Sequence, residues 1–418
     1  MQATATAPAT VTVIGAGMVG TCCALYLQNE GFRVTLVDRK APGEGASFGN
    51  LGCFGIASCV PPGMPGIWRK VPRMLLDKDA PLKLRWGHAL RAAPWFLKFI
   101  ANTSRARVEE IARARQSLLN RVHETLDPLV AEAGAGNLMS PTGILFTFES
   151  EEAFQGAAYA FDIRRRNGVM MDVLSGDEAR ELEPNLTSNV VRAIRVPSLV
   201  STLDPSGLVK SLAALFERRG GTLLCNAVRG FEVGSEGVTA VKTDSGDTAV
   251  DNVVIAAGVW SRPLAEALGT NVPLEAERGY HTVFHGADVK INEAILSVDR
   301  YISVTPMREG IRVGGFAEFA APDAPADMRH AKTAAQHGQK LFPGLDAATR
   351  SEWMGPRPSH PDSKPAIGRS PRHRNAYFAF GHDHLGLTFG SITGKLISEV
   401  VAGKPPSVDL EPFRPDRF

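Results

Sequence analysis

This sequence predicts an α/β fold in which a parallel sheet flanked by helices is joined to a second α+β domain of mixed sheet plus helices. Three observations carry that expectation. The stretch from Val11 to Asp38, VTVIGAGMVGTCCALYLQNEGFRVTLVD, reads as strand, glycine-rich turn, helix and strand. Much later, the run Val253-Val254-Ile255-Ala256-Ala257-Gly258 is apolar on both faces, as a central parallel strand must be, and ends in small residues that let a ligand approach. Between and beyond them lie helical and β-like stretches with no second turn of the first kind, so the parallel domain is interrupted twice.

The opening unit is Rossmann-like, and each of its parts answers a physical need. Gly15 permits the tight turn, Gly17 lets the backbone approach a pyrophosphate, and Gly20 lets helix and strand pack closely. Met18 and Val19 open the helix, whose first N–H groups have no intrahelical partner and suit phosphate oxygens. Asp38, ending the second strand, is placed to accept ribose hydroxyls, with Arg39 beside it. A GxGxxG alone is a weak signal. With the strand before, the helix after and the acid at the end of the next strand, it predicts an adenine dinucleotide, though not which one.

Ala41 to Gly52 follows as a loop of small residues that fits neither a helix nor a strand. Its backbone N–H groups, the Ser47 hydroxyl, and Asn50 and Leu51 make it the expected second contact to the cofactor. On its own it would be an ordinary surface loop.

Composition narrows the class. At 418 residues, 44% hydrophobic and 22% charged, the chain can bury two cores without disulfide or metal staples. The cysteines Cys22, Cys23, Cys53, Cys59 and Cys225 show no CxxC or zinc spacing; no metal is expected, and they fit a reducing compartment. MQATATAPAT has no basic n-region or apolar h-region, which predicts a frayed tail and a cytoplasmic protein.

The net charge of +2 conceals a strong asymmetry: residues 69 to 115 hold twelve Lys/Arg against four Asp/Glu. Trp68, Trp86, Trp95, Phe96 and Phe99 are interleaved with them, which allows peripheral contact with an anionic membrane, at the inner face of the cytoplasmic membrane, or with a membrane-bound electron acceptor. The bland alternative is a solvated outer face on helices whose aromatics are buried. No nucleic-acid module accompanies the charge, so nucleic acid is not an expected partner.

From Pro81 to Val130 the pattern is helical, with Trp86, Leu90, Ala93, Leu97 and Ile100 lining one helix face and Pro94 expected to kink or divide it. Gly143 to Phe148 reads as a strand and Asp177 to Leu182 as a short helix. A helix begins at Asp204-Pro205 and stops at Gly220-Gly221. Strands follow, one of them reached through Val228, before the apolar strand that ends at Ala257-Gly258 and leads to Trp260. The expected division is a cofactor-binding domain from residues 1–75, 195–271 and 343–418, and a substrate-binding domain from residues 76–194 and 272–342.

Near the C-terminus stand Gly355-Pro356-Arg357-Pro358, then Pro361-Asp362, and a last glycine-rich turn, Gly381-His382-Asp383-His384-Leu385-Gly386-Leu387-Thr388. With the GxGxxG unit, Ser47-Phe48-Gly49-Asn50, Asp204-Pro205 and Ala256-Ala257-Gly258, these resemble the FAD-dependent D-amino acid oxidase superfamily over nearly the whole chain. Within it the resemblance is to the D-amino acid dehydrogenase and glycine/sarcosine oxidase branch. It implies FAD rather than a nicotinamide, with Val228, Ala257, Gly258, Trp260, Gly355, Gly381, Leu385, Gly386, Leu387 and Thr388 added to the cofactor contacts. Members with covalently held flavin carry a cysteine where this chain has Gly355, so non-covalent FAD is implied.

The resemblance also implies the reaction, loss of hydride from the carbon bearing an amine, giving an imine or 2-oxo acid. Arg357 matches the carboxylate-binding arginine and borders the flavin; Tyr280 falls where relatives place a substrate-facing tyrosine or lysine, against the alternative of a core tyrosine. His384 stands where glycine oxidases have a second arginine, which argues against a glycine oxidase and leaves His384 either contacting substrate or packing near the flavin. The loop and the final turn look most like dehydrogenases of D-hydroxyproline and related D-amino acids, which makes cis-4-hydroxy-D-proline the narrow expectation, with a quinone or a protein as electron acceptor. An N-methyl amino acid oxidase producing hydrogen peroxide and a flavin-binding subunit without turnover remain the alternatives.

Overall fold

The computed structural model describes residues 9–69, 71 and 81–418. Residues 1–8, which hold most of the expected tail, and residues 70 and 72–80 of the basic segment lie outside the described residues.

The strand Thr10–Ile14 runs parallel between Arg33–Asp38 and Asn252–Ile255. Thr222–Cys225 and Ala376–Phe380 extend the sheet in parallel on its two sides, and the antiparallel strand Ala366–Arg369 completes six. Val13 and Val254 are fully buried because helices and loops cover both faces of this sheet. The helix Met18–Asn29 lies against the last long helix, Gly386–Val401, closely enough that a Cβ on Gly394 would stand 2.6 Å from the Cys22 backbone. Cys22 and Cys23 are buried beside that contact, and burial pushes the Cys22 thiol up to about 12, so it stays protonated and inert.

A mixed nine-stranded sheet forms the second layer. Its main strand, Glu275–His285, pairs along most of its length with Gly310–Phe319 on one side and Thr349–Ser359 on the other, both antiparallel. Ile144–Phe148 joins the same sheet through Ala294–Ser297.

Two segments sit differently from the expected division. Thr349–Ser359, within the stretch assigned to the cofactor domain, is an edge strand of the mixed sheet. The helices Arg105–Leu119 and Val122–Glu132, assigned to the substrate domain, bury Val108, Leu118 and Leu126 in one core with Leu25 and Leu396 of the cofactor layer. Amphipathic spacing shows that a helix has an apolar face; it carries no information about which sheet receives that face.

The helix Trp86–Ala101 runs through Pro94 undivided. Proline leaves the Leu90 carbonyl without its helical donor, and Leu90 is on the exposed side, where water can supply one. Its buried residues are Ala92 and Trp95, so the stripe from Trp86 to Ile100 faces outward instead of into a core. No helix among the described residues is long and apolar enough to cross a membrane.

Candidate functional site

A cavity of about 570 Å³ runs from the carboxyl ends of Thr10–Ile14 and Asn252–Ile255 to the mixed sheet. Its near end is the first glycine-rich turn. Gly15 has φ +109°, and a Cβ there would lie 2.4 Å from the Ala256 carbonyl oxygen, so only glycine fits between the two parallel strands. A Cβ on Gly20 would lie 1.8 Å from the Gly15 oxygen, which places Gly20 under the turn as a packing residue and not on the cavity wall. Gly17, Met18 and Val19 line the cavity, and the Met18 N–H donates to Ser47 Oγ at 3.1 Å, which ties the 41–52 loop to the start of the helix.

Asp38 accepts the Ala16 N–H at 2.7 Å and the Lys40 N–H at 3.0 Å, one on each oxygen, which fixes the carboxylate and leaves lone pairs for hydroxyls. Next to it the Arg39 guanidinium lies over the Trp260 ring, 4.1 Å from its centre. Val228, Ala257 and Gly258 complete this end, and Asn50 and Leu51 line the wall further in. A dinucleotide fits these residues: a helix N-terminus beside the glycine turn, an anchored carboxylate for ribose and a flat cationic–aromatic wall for an adenine.

At the far end, Arg357 projects from Thr349–Ser359 across Gly279 of the neighbouring strand. A Cβ on Gly279 would fall 2.2 Å from Arg357 Nη2, so the guanidinium occupies the space of the missing side chain. Arg357 Nη1 donates to Glu277 Oε1 at 2.6 Å and to the Phe316 carbonyl at 3.0 Å, while Ser359 Oγ donates to Glu277 Oε2 at 3.1 Å. Nε and Nη2 have no hydrogen-bond partner among the described residues, and Arg357 lines the cavity. That edge is the geometry a carboxylate needs for two parallel hydrogen bonds.

Tyr280 departs from the expected substrate-facing position. Successive side chains on a strand point to opposite faces, so with Gly279 and His281 toward the cavity Tyr280 must turn away. Tyr280 borders the cavity, but its side chain is buried in the second core, its hydroxyl bonded to Glu318, Arg278 and the Asp327 N–H. The chain meets the cavity there through residues the sequence reading passed over. His281 stacks on Trp353 at 5.2 Å, and Trp353 in turn fills the space above Gly49 and Gly355, where a Cβ would lie 1.9 Å from its ring. Burial and the Arg312 charge lower the His281 pKa to about 3, so this wall is neutral. Trp353, two residues before Gly355 of the arginine motif, was the only local signal for it.

The final turn supplies the floor. Gly381 has φ +82°, and His360 packs where its Cβ would be, so it shapes the turn from behind. Leu385, Gly386 and Leu387 line the cavity, whereas Thr388 Oγ1 accepts the Gly55 N–H at 2.9 Å and braces the turn. His384 is exposed to the cavity, and the protein packed around that cavity, with the Arg115 and Arg357 charges, brings its pKa down to about 4. It is a neutral imidazole near pH 7. Asp383, held at φ +50° with its N–H on the Pro358 carbonyl at 2.9 Å, is pushed by burial up to about 8.

Fold and site together are those of a dinucleotide-dependent oxidoreductase, with an arginine braced by Glu277 opposite the nucleotide end. The chain belongs to the family described as FAD dependent oxidoreductase, whose model matches residues 10–400. FAD is therefore the dinucleotide, and the cradle from Gly15 to Asp38 fits it. A D-amino-acid oxidase of Bradyrhizobium diazoefficiens is 35% identical over 415 residues, covering 98% of both chains. A D-amino acid dehydrogenase of Paramagnetospirillum magneticum is 30% identical, again over 98% of each. Among solved structures, glycine oxidase from Geobacillus kaustophilus superposes with a TM-score of 0.76 at 20% identity, covering 98% of each chain. L-proline dehydrogenase from P. horikoshii gives 0.74 at 22%, with 98% of each chain covered. These two likenesses concern the fold.

Proposed function

We propose that the protein oxidises a D-amino acid or cyclic imino acid at the carbon bearing the amine, with cis-4-hydroxy-D-proline as the narrowest candidate. The observation that carries this reading is the Arg357 guanidinium, which is braced by Glu277 through Nη1 and lines the cavity, with Nε and Nη2 making no hydrogen bond among the described residues. The names of the relatives, a D-amino-acid oxidase and a D-amino acid dehydrogenase, support the substrate class.

In this reading Arg357 grips the substrate carboxylate through two hydrogen bonds and fixes the α-carbon in one orientation. Trp353, His281 and Leu51 wall the substrate and exclude water, and their neutrality favours an uncharged side chain. His384, neutral, accepts a hydrogen bond from the substrate amine or a ring hydroxyl; with its lowered pKa it is a poor base, so the amine must arrive or become uncharged by loss of its proton to water. FAD supplies the two-electron acceptor for the C–H bond, and the resulting imine is released or hydrolysed. No further acid or base is needed.

The electrons then pass to a quinone or a protein acceptor, with the enzyme working at the inner face of the cytoplasmic membrane. Oxygen is the competing acceptor, favoured by the name of the 35% relative. Anaerobic reduction of the bound flavin by a panel of D-, L-, imino and N-methyl amino acids tests the proposal. Bleaching by D-proline derivatives supports it, response to sarcosine alone refutes it, and failure of every amine points to a subunit without turnover. Stoichiometric peroxide in air would assign oxygen as the acceptor.

A further inference from the structure

The helix Trp86–Ala101 is apolar on two opposite sides, and the core accounts for only one. On the inner side Trp95 Nε1 donates to the Ser359 carbonyl at 3.0 Å, its ring stacks on Phe99 at 5.3 Å, and Trp95 and Phe96 both meet Phe319. On the outer side Trp86, Leu90 and Leu97 are 76%, 90% and 70% exposed, and Ile100 continues the stripe one turn on. Their spacing of four, seven and three places them along a single line on the helix. Ala93 and Pro94, between them, are exposed as well.

A helix that is apolar all round is normally buried, and a contiguous exposed stripe of this length marks an interaction surface. Charge identifies its occupant. From Pro81 to Val108 there are six Lys/Arg and no Asp/Glu. Arg85 and Arg107 are paired with Glu318 and Glu110. Arg91 and Lys98, two turns apart and exposed, lie between the stripe and the Trp95 side of the helix; neither has a carboxylate within ion-pair distance among the described residues, and Lys98 Nζ stands 5.9 Å from the centre of the Phe418 ring.

The geometry points to an anionic lipid surface. Trp86 suits the headgroup level, Leu90, Leu97 and Ile100 enter the acyl boundary, and Arg91 and Lys98 reach lipid phosphates from long flexible stems. A second copy of this chain is a poorer occupant, because stripe-to-stripe pairing sets Arg91 and Lys98 of both copies together with no acidic residue on the helix to answer them. The helix is also fastened close to the substrate clamp. Trp95 bonds to Ser359 and His88 Nε2 lies 2.8 Å from Glu275, two residues from Arg357 and Glu277 respectively. The surface extends the reading of a membrane-borne acceptor, but lipid binding does not depend on turnover.

Flotation of the FAD-loaded full chain with vesicles of phosphatidylcholine alone or of equimolar phosphatidylcholine and phosphatidylglycerol tests it. Binding is expected on the phosphatidylglycerol vesicles, weakened by added salt. It should fall by roughly tenfold or more in Leu90→Glu/Leu97→Glu and in Arg91→Glu/Lys98→Glu. Both pairs are exposed, so flavin reduction by substrate should be unchanged. Absence of binding, equal binding to phosphatidylcholine alone, or a stripe-dependent dimer in sedimentation velocity would each overturn the inference. Vesicle binding with a flavin that no amino acid reduces would instead sink the proposed activity and leave this surface standing.

Discussion

Glu277 holds Arg357 by one nitrogen, with Nη1 to Oε1 at 2.6 Å, and the guanidinium lies flat over Gly279. Because Glu277 is itself bound by Ser359 Oγ, the guanidinium is held in one orientation in the absence of any ligand. Arg357→Ala is expected to lower kcat/KM by about 100-fold or more, the scale of two charge-assisted hydrogen bonds. Arg357→Lys should recover little of this, since an ammonium cannot form the paired contact. Steady-state kinetics on the best amino acid checks both, with an unchanged flavin spectrum showing that the cofactor remains bound.

Gly279→Ala separates the position of the clamp from its charge. The new Cβ would meet the end of a flexible side chain rather than backbone, so the fold should survive while Arg357 is pushed off its seat. KM should rise by roughly tenfold with little change in Tm. A normal KM would mean that the guanidinium relaxes without loss and that its seat over Gly279 is unimportant.

Replacing the glycine at position 15 is expected to cost cofactor retention. Gly15→Ala places a methyl group 2.4 Å from a backbone carbonyl at a φ that side chains avoid, and neither wall can yield cheaply. The purified variant should hold little FAD and melt earlier, as read from its absorbance and calorimetry. Asp38→Asn should keep the fold and weaken FAD binding, because the anchored carboxylate loses its charge toward the ribose hydroxyls.

Stability should peak near neutrality. Burial lowers the pKa of His281, His360 and His382 to about 3, from an ordinary 6.5. Between those values the unfolded chain binds more protons at these sites, so acidification from about pH 6.5 toward 4.5 should lower Tm. Asp383, raised to about 8, and Glu183, raised to about 7, act in the opposite sense and lower stability as pH rises toward 8. The three buried histidines outnumber the two carboxyls on the acid side. A Tm profile rising continuously from pH 6.5 to 8.5 would contradict the buried neutral acids.

Much of the cofactor end was legible in the sequence because its signal is local. Strand, turn, helix and acid occur within one run of residues, and each residue type answers a steric or hydrogen-bonding demand of its neighbours, as Gly15 does beside Ala256. The arginine motif, too, could be recognised, since Gly355 to Pro358 is contiguous.

What the tertiary structure alone decided are the relations between strands and between layers. The alternation of Glu275–His285 turned Tyr280 into the core and brought Glu277, Gly279 and His281 toward Arg357, because one residue of register exchanges the two faces of a strand. Likewise, the spacing of Trp86, Leu90, Leu97 and Ile100 defined a helix face, but its direction depended on where Trp95 could bury itself. Periodicity is a property of the helix or strand itself. Which face meets the core is settled only by competition among all the surfaces that the folded chain brings together.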